Sequence, residues 1–331
     1  MGTDVEDLSA AGGVRTLPAP AGEARRRPAR RGPTLLVRLR PWLLLAAPLA
    51  VIAVLLLYPI VRVVYLSFQE YGLKEIISGH PRFVGWANYR EAVSGDYLWK
   101  TVLPNTVLFA LVAVAGTVGL GTLVALLLQA LGPRMRAAVI GAALVAWALP
   151  AVTGTYVWVW IFDPDSGLVR RALQGAGLLG PDGYNWFTDR LSFYAIAELN
   201  VIHHSYPFVA VTLFAGLTTV PQELYEAARL DGANAWQRFW RITVPVLRPV
   251  FAVVTVLSTI WDFKVFTQVY LMPGGSGTNP DVLNLGVWSY MKAINQNQYG
   301  LGAAIAVLLT LVLLAITAVY LRVLFREEEI R

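Results

Sequence analysis

The chain has 331 residues, no cysteine, and 27 Lys and Arg against 21 Asp and Glu, for a net charge of +6. Hydrophobic residues make up 56% of it and its mean hydropathy is +0.55, beyond an ordinary globular chain and suited to one polytopic membrane domain. The lack of cysteine excludes disulfides, thiolate metal sites and cysteine nucleophiles, and the arginines cluster beside apolar runs instead of forming a basic groove, which argues against a nucleic-acid partner.

Residues 1–40 are rich in Ala, Gly, Pro and Arg, with Arg25, Arg26, Arg27, Arg30 and Arg31 just ahead of the first apolar run, and predict a disordered basic tail. The uncharged run 41–61 is long enough to cross a bilayer, since roughly 20 helical residues suffice, and it lacks a small-residue cleavage site, so it reads as a retained span and not as a signal peptide. Further spans are expected at 101–131, 137–162, 193–220, 250–271 and 301–321, six in all. Pro104, Pro150 and Pro207 fall in or at the edges of these spans, where neighbouring helices can satisfy freed backbone groups.

Orientation follows from Lys and Arg. With the N-terminus inside, 17 of the 27 basic residues lie on inner segments and eight on outer loops, so both termini and segment 221–249 belong in the cytoplasm. The outer loops carry Trp86, Tyr89, Tyr97, Trp99, Tyr184 and Trp186, residues that commonly lie at the membrane interface.

Segment 221–249 is the one long polar stretch between apolar runs. Pro221 opens a helix, with Glu223 in its first turn where the helix dipole favours an acid. Asp231-Gly232 is a turn signal, and a second helical piece is expected from about Ala233 to Ile242, closed by Pro245, with Asp231 available to cap it. Two short helices hinged at a glycine make a knob with a narrow tip at Ala227 and Ala228.

The spaced pattern Glu226-Ala227-Ala228, Asp231-Gly232-Ala233, Phe239, Ile242, Pro245 and Pro249 resembles the EAA loop of ABC import permeases, of the maltose-type carbohydrate subfamily. Outside the loop, Phe83, Gly85, Asn88 and Tyr89 resemble that family's lead-in to the second span, Asn105-Thr106 its Asn-Thr pair, and Pro150 to Gly167 its third span. Tyr206-Pro207-Phe208 with Gly216-Leu217 matches its run into the loop, while Ser276 after Gly274-Gly275 and Val169 after Leu168 depart from its outer loops. The resemblance implies an all-α polytopic membrane protein of six transmembrane helices, with a cytoplasmic coupling-helix loop between the fourth and fifth spans. It implies a permease domain at 41–325, the coupling loop at 221–249 within it, and a short cytoplasmic end at 326–331. Its implied partners are a second homologous permease subunit, two cytoplasmic ATPase subunits that bind the ATP, an extracytoplasmic solute-binding protein, membrane lipid and a sugar substrate. Glu223, Glu226, Ala227, Ala228, Asp231, Gly232, Ala233 and Phe239 would then transmit force to the ATPase.

Charged residues inside spans cost on the order of 2.5–3.5 kcal/mol each at mid-membrane, so they should face a cavity or a partner helix. Asp262 and Lys264 are two apart and cannot share one helix face. With Trp261, Glu198, Asn200, His203, Tyr156 and Trp158 they supply hydrogen-bonding groups and aromatic faces that suit a carbohydrate pathway. His203-His204 lacks a third ligand for a metal, and no cofactor is expected. No phosphate-binding loop or nucleophile elbow occurs, so the chain is not expected to be an enzyme and its energy must come from a partner. A permease for glycerol-phosphate or another organic solute is the alternative, and a stand-alone secondary transporter the reading from a different class.

Overall fold

The computed structural model describes residues 45–46, 48–274 and 279–328. The expected tail at 1–40, the last residues 329–331 and Gly275-Ser276 of the outer turn lie outside the described residues. The chain divides into two units after Leu56. In the first, the described residues are helical at 45–46 and 48–56 and their side chains are exposed. The second runs from Leu57 onward and is described through Glu328.

Helix α1 (Tyr58–Ser67) has a proline in its first turn, where the missing N–H has no partner to lose. Two short strands, β1 (Gln69–Glu70) and β2 (Arg82–Phe83), pair antiparallel around α2 (Leu73–Ser78), which ends on Gly79 at φ 72°. Helix α3 (Ala87–Ser94) follows, and its Asn88 donates to the carbonyls of Ser67 (2.9 Å) and Gln69 (2.8 Å) while Tyr89 Oη meets Ser67 Oγ at 2.6 Å. Those bonds explain the Asn-Tyr motif: it fixes the outgoing end of α1.

A wide turn at Leu98–Val102 leads into α4 (Leu103–Ala130), followed by α5 (Pro133–Ala148), α6 (Ala151–Ile161), α7 (Leu168–Gly175) and α8 (Arg190–Leu217). The expected continuous span 137–162 is broken: α5 and α6 meet at 95°. Leu149, forced out of the helical region by the ring of Pro150, has ψ 135°, and Pro150 itself has ψ 133°, so two extended residues turn the chain. Pro207, by contrast, sits inside α8 without ending it. Between α6 and α7, Asp163 Oδ1 accepts from the amides of Ser166 (2.6 Å) and Asp165 (3.0 Å), and Gly167 has no room for a Cβ against the Asp163 backbone. The Ser166 amide, then its hydroxyl, holds the Asp163 carboxyl below its usual value.

Beyond α8 come α9 (Gln222–Leu230), α10 (Ala235–Arg238), α11 (Val244–Val246), α12 (Arg248–Phe263), α13 (Thr267–Leu271), α14 (Leu285–Tyr290) and α15 (Tyr299–Glu328). Four helices are each long and apolar enough to cross a membrane: Pro48–Ser67, Leu98–Ala130, Arg248–Leu271 and Tyr299–Tyr320. Two bent pairs, α5 with α6 and α8 with α9, bring the number to six if each counts as one span. The predominantly helical, multi-span architecture expected from the sequence is therefore present.

Helices α4 and α8 form the spine. A Cβ on Gly121 would lie 2.6 Å from the side chain of Val209 and 3.2 Å from the Ala210 amide, and one on Gly116 would collide with Ile202, so both glycines let the two backbones approach closely. One apolar cluster fills the half around Phe109, Phe193, Val269 and Ile305, and a second fills the other half around Ala125, Leu213, Leu217 and Val254. Replacing Gly121 with Val should force the helices apart and destabilise the protein by about 1–3 kcal/mol. Gly119, where a Cβ meets nothing within 4 Å, should accept Ala without loss, and thermal melts of detergent-purified protein measure both.

Candidate solute cavity and coupling loop

The end of the molecule remote from α9 is closed by polar side chains gripping the segment before α14. Asn105 Nδ2 donates to the carbonyls of Asp281 (2.9 Å) and Leu283 (3.0 Å), and its Oδ1 accepts from Arg190 at 2.6 Å. Thr106 Oγ1 accepts from the Leu285 amide at 2.9 Å, and Tyr194 donates to the Val282 carbonyl at 2.8 Å. Backbone that is not helical is satisfied here by side chains from α4 and α8, as a low-dielectric setting demands. The Asn-Thr pair singled out in the sequence is thus a clamp.

Below this clamp the expected helical span 250–271 is interrupted. α12 stops at Phe263, and Lys264 to Phe266 separate it from α13. Asn284 Nδ2 donates to the Val265 carbonyl at 2.6 Å, replacing the bond that the interruption removes. Asp262 and Lys264 therefore differ for a reason beyond helical spacing: Asp262 is 2% exposed on the last turn of α12, whereas Lys264 lies past the helix end and is exposed. Asp262 Oδ2 is buried without a hydrogen-bond partner among the described residues. It lines a cavity of about 410 Å³ with Trp261, Lys264, Ser205, Thr267 and Gln268. Phe208 packs between Trp261 and Trp147, which also lines it, with ring centroids 5.1 and 6.0 Å away.

A smaller cavity adjoins the first, sharing Ala151, His204 and Gln268 with it, and contains Trp158, Asn200 and His203. Gln268 Nε2 donates to Asn200 Oδ1 at 2.9 Å, fully buried, so the two cavities meet at a fixed amide pair. Five of the expected pathway residues besides Lys264, namely Trp261, Asp262, Trp158, Asn200 and His203, thus line neighbouring spaces. Two depart. Glu198 lines a separate cavity with Asn105, Arg190 and Tyr194. Tyr156 is 55% exposed and lines none of these cavities: it is two residues from Trp158 on α6, which puts it on roughly the opposite face of that helix. Sequence reasoning missed Gln268, Thr267 and Ser205; the available signal was that Gln268 is polar inside an apolar run, four residues past Lys264.

The knob begins as expected at Pro221, which precedes α9. It ends on Gly232 at φ 78°, with Ala233 N–H donating to the Ala228 carbonyl (2.9 Å) and Gly232 N–H to the Arg229 carbonyl (3.0 Å). This 6→1 and 5→2 pair is the Schellman arrangement that only a residue tolerating positive φ can close. Asp231 does not cap the second piece. Asn234 does, accepting from the Gln237 amide at 2.9 Å while Gln237 Oε1 returns a bond to Asn234 N–H. Nor does Pro245 close that piece: a wide turn at Phe239–Thr243 accommodates the missing donor, and α11 continues through the proline. Tyr225 Oη meets Thr243 Oγ1 at 2.9 Å, tying α9 to the returning chain.

Glu223, Glu226, Ala227, Asp231 and Gly232 are exposed, Ala228 and Ala233 half-buried. Phe239 packs with Trp236 and Trp240. Leu230 is 90% and Trp236 70% exposed, an apolar surface with no cover from the described residues.

Comparison with known proteins adds three findings. Residues 117–327 match the family described as binding-protein-dependent transport system inner membrane component. The diacetylchitobiose uptake system permease protein DasB of Streptomyces coelicolor is 39% identical over 88% of each chain, and the trehalose/maltose transport system permease protein MalF of Thermococcus litoralis is 31% identical over 85% of this chain and 92% of its own. In fold, the chain matches a subunit of a bacterial ABC transporter involved in the import of the acidic polysaccharide alginate, with a TM-score of 0.73 at 21% identity over 87% of this chain and 96% of that one.

Removing one partner of the Asn200–Gln268 bond leaves a buried amide unsatisfied and should cost about 1–2 kcal/mol. Asn200→Leu is expected to lower the melting temperature, and Asn200→Leu with Gln268→Leu to lower it by less than the two single losses added, in a double-mutant cycle read by thermal denaturation.

Proposed function

The chain belongs to the family of inner membrane components of binding-protein-dependent transport systems, and from that membership we propose that it forms half of the pathway by which an ABC importer admits an uncharged sugar or oligosaccharide. The observation that carries the substrate reading is Asp262. Its buried Oδ2 lacks a donor among the described residues, and it faces a cavity with aromatic walls at Trp147 and Trp261 and hydrogen-bonding groups at Ser205, Thr267 and Gln268. A sugar hydroxyl supplies the missing donor, and sugar C–H faces lie against the indoles. Lys264 is the sole Lys or Arg lining that cavity, which does not favour a phosphorylated solute. The printed functions of the two sequence relatives, uptake of diacetylchitobiose and of trehalose and maltose, support the same class.

The excess of Lys and Arg on one set of segments supports cytoplasmic termini and a cytoplasmic knob. On this reading the knob docks on an ATPase subunit through Ala227, Leu230 and Trp236, a second permease completes the cavity, and an extracytoplasmic binding protein delivers solute at the clamped end. ATP-driven closure of two ATPases draws the two knobs together and rocks the helices between inward-open and outward-open states. Glu223, Glu226 and Asp231 ring the docking tip, while Gly232 and Ala233 set its bend and Phe239 supports it. Residues 41–325 act as the permease domain.

Two experiments test the two halves of the proposal. In an affinity pull-down from detergent-extracted membranes, wild type should bring down an ATPase and a second permease, and Glu226→Ala with Gly232→Pro should lose the ATPase but keep the permease; wild type purifying alone would sink the importer reading. In whole cells, Asp262→Ala should lower uptake of a neutral disaccharide by at least tenfold with the complex still assembled. Unchanged uptake of every sugar tested would remove Asp262 from the pathway.

A further inference from the structure

A cavity of about 570 Å³ lies between the end of α4 and the knob, on the inner side of the same loop and separate from the cavity at Asp262. Its polar lining is Gln129, Gln222, Tyr225, Arg229, Arg238 and Thr243, two cations and four neutral hydrogen-bonding groups with no acid among the lining residues. Leu126 and Ala130, in the last turns of α4, supply an apolar edge. Arg238 uses Nη1 on the Ala233 carbonyl at 2.6 Å and keeps its other donors, and Arg229 makes no hydrogen bond or ion pair among the described residues.

Gln222, Tyr225 and Arg229 follow the i, i+3, i+7 spacing of a single helix face, the one turned toward α4. Ala227 lies on the opposite side of α9 and Leu230 about a quarter-turn round from Arg229, both exposed. The cavity is therefore on the membrane side of the knob, level with the last residue of a spanning helix, which is where lipid headgroups lie. Two guanidiniums with amide and hydroxyl donors around an apolar-edged space fit a phosphate, and Arg binds phosphate bidentately.

We propose that this cavity binds a net-anionic phosphate group, supplied by a lipid headgroup of the adjacent leaflet, and that the bound anion braces α9 against α4. The choice of the cytoplasmic leaflet rests on the orientation given above; the arginine dependence does not.

The test is native mass spectrometry of the full-length chain, purified with whatever subunits accompany it, titrated separately with phosphatidylglycerol, phosphatidylcholine and inorganic phosphate. Saturable phosphatidylglycerol binding should weaken about fivefold on Arg229→Gln and about 25-fold when Arg238→Gln is added, as each cation near an anionic surface contributes on that order. Arg171→Gln, an exposed cation on α7 outside this cavity, should leave it unmoved. If inorganic phosphate displaces the lipid at millimolar concentration, the site stands and the anion comes from solution. Equal binding of phosphatidylglycerol and phosphatidylcholine, or binding indifferent to both arginines, overturns the site. Arg238→Gln also removes a knob hydrogen bond, so Arg229→Gln alone decides the matter if the double variant does not purify. Orientation is scored separately: the chain has no cysteine, so Leu230→Cys labelled by an impermeant maleimide in inside-out vesicles, and not in intact cells, keeps the cytoplasmic leaflet, while the reverse moves the lipid to the other leaflet.

Discussion

The close crossing of α4 over α8 is the contact on which the rest depends. Gly121 and Gly116 remove the side chains that would hold the helices apart, and Val209 and Ile202 fill the space. In lipid, where burying an apolar side chain against another gains little over burying it in acyl chains, such shape-fitted contact is the main source of helix association. Once the two helices are fixed, Asn105, Thr106 and Tyr194 stand where they can grip residues 281–285 at one end. Leu126, Gln129 and Ala130 stand beneath the knob at the other. One rigid pair thus positions both the cavity at Asp262 and the loop 221–249.

The irregular backbone follows from the same constraint. The chain leaves helical geometry inside or beside the apolar slab at Leu149-Pro150 and at Lys264–Phe266. At the second break the freed carbonyl is answered by Asn284, whose own Oδ1 accepts from Val287 N–H at the start of α14. The breaks then do something a straight helix cannot: they open space between α6, α8 and α12, and they leave Asp262 at a helix end facing that space.

Local signals were legible where the chemistry is local. Pro221, Asp231-Gly232 and the alanines gave the start, stop and tip of α9, because a missing donor and a positive φ are properties of single residues. The apolar runs located the spans for the same reason. The identity of the second cap was misread because Asp231 and Asn234 are equally good caps by type, and the difference lies in Gln237, three residues beyond Asn234, returning the bond. The 95° break was not legible, since Pro207 lies inside a span and does not end its helix, whereas the outward position of Tyr156 is a matter of helical phase relative to Trp158. Which proline turns the chain is decided by the packing around it. Gln268 escaped notice because its role depends on Asn200, 68 residues away.

The stop at Gly232 is made by the main chain: the amides of Gly232 and Ala233 and the carbonyls of Arg229 and Ala228. No side chain on the exposed face of α9 is engaged in holding that turn, so natural variation at Glu223, Ala227 or Leu230 can follow changes in an interacting surface while the turn keeps its shape. On the proposed docking, a lineage can therefore exchange one power-supplying subunit for another by altering a few outward residues, with the glycine as the fixed point about which the interface drifts.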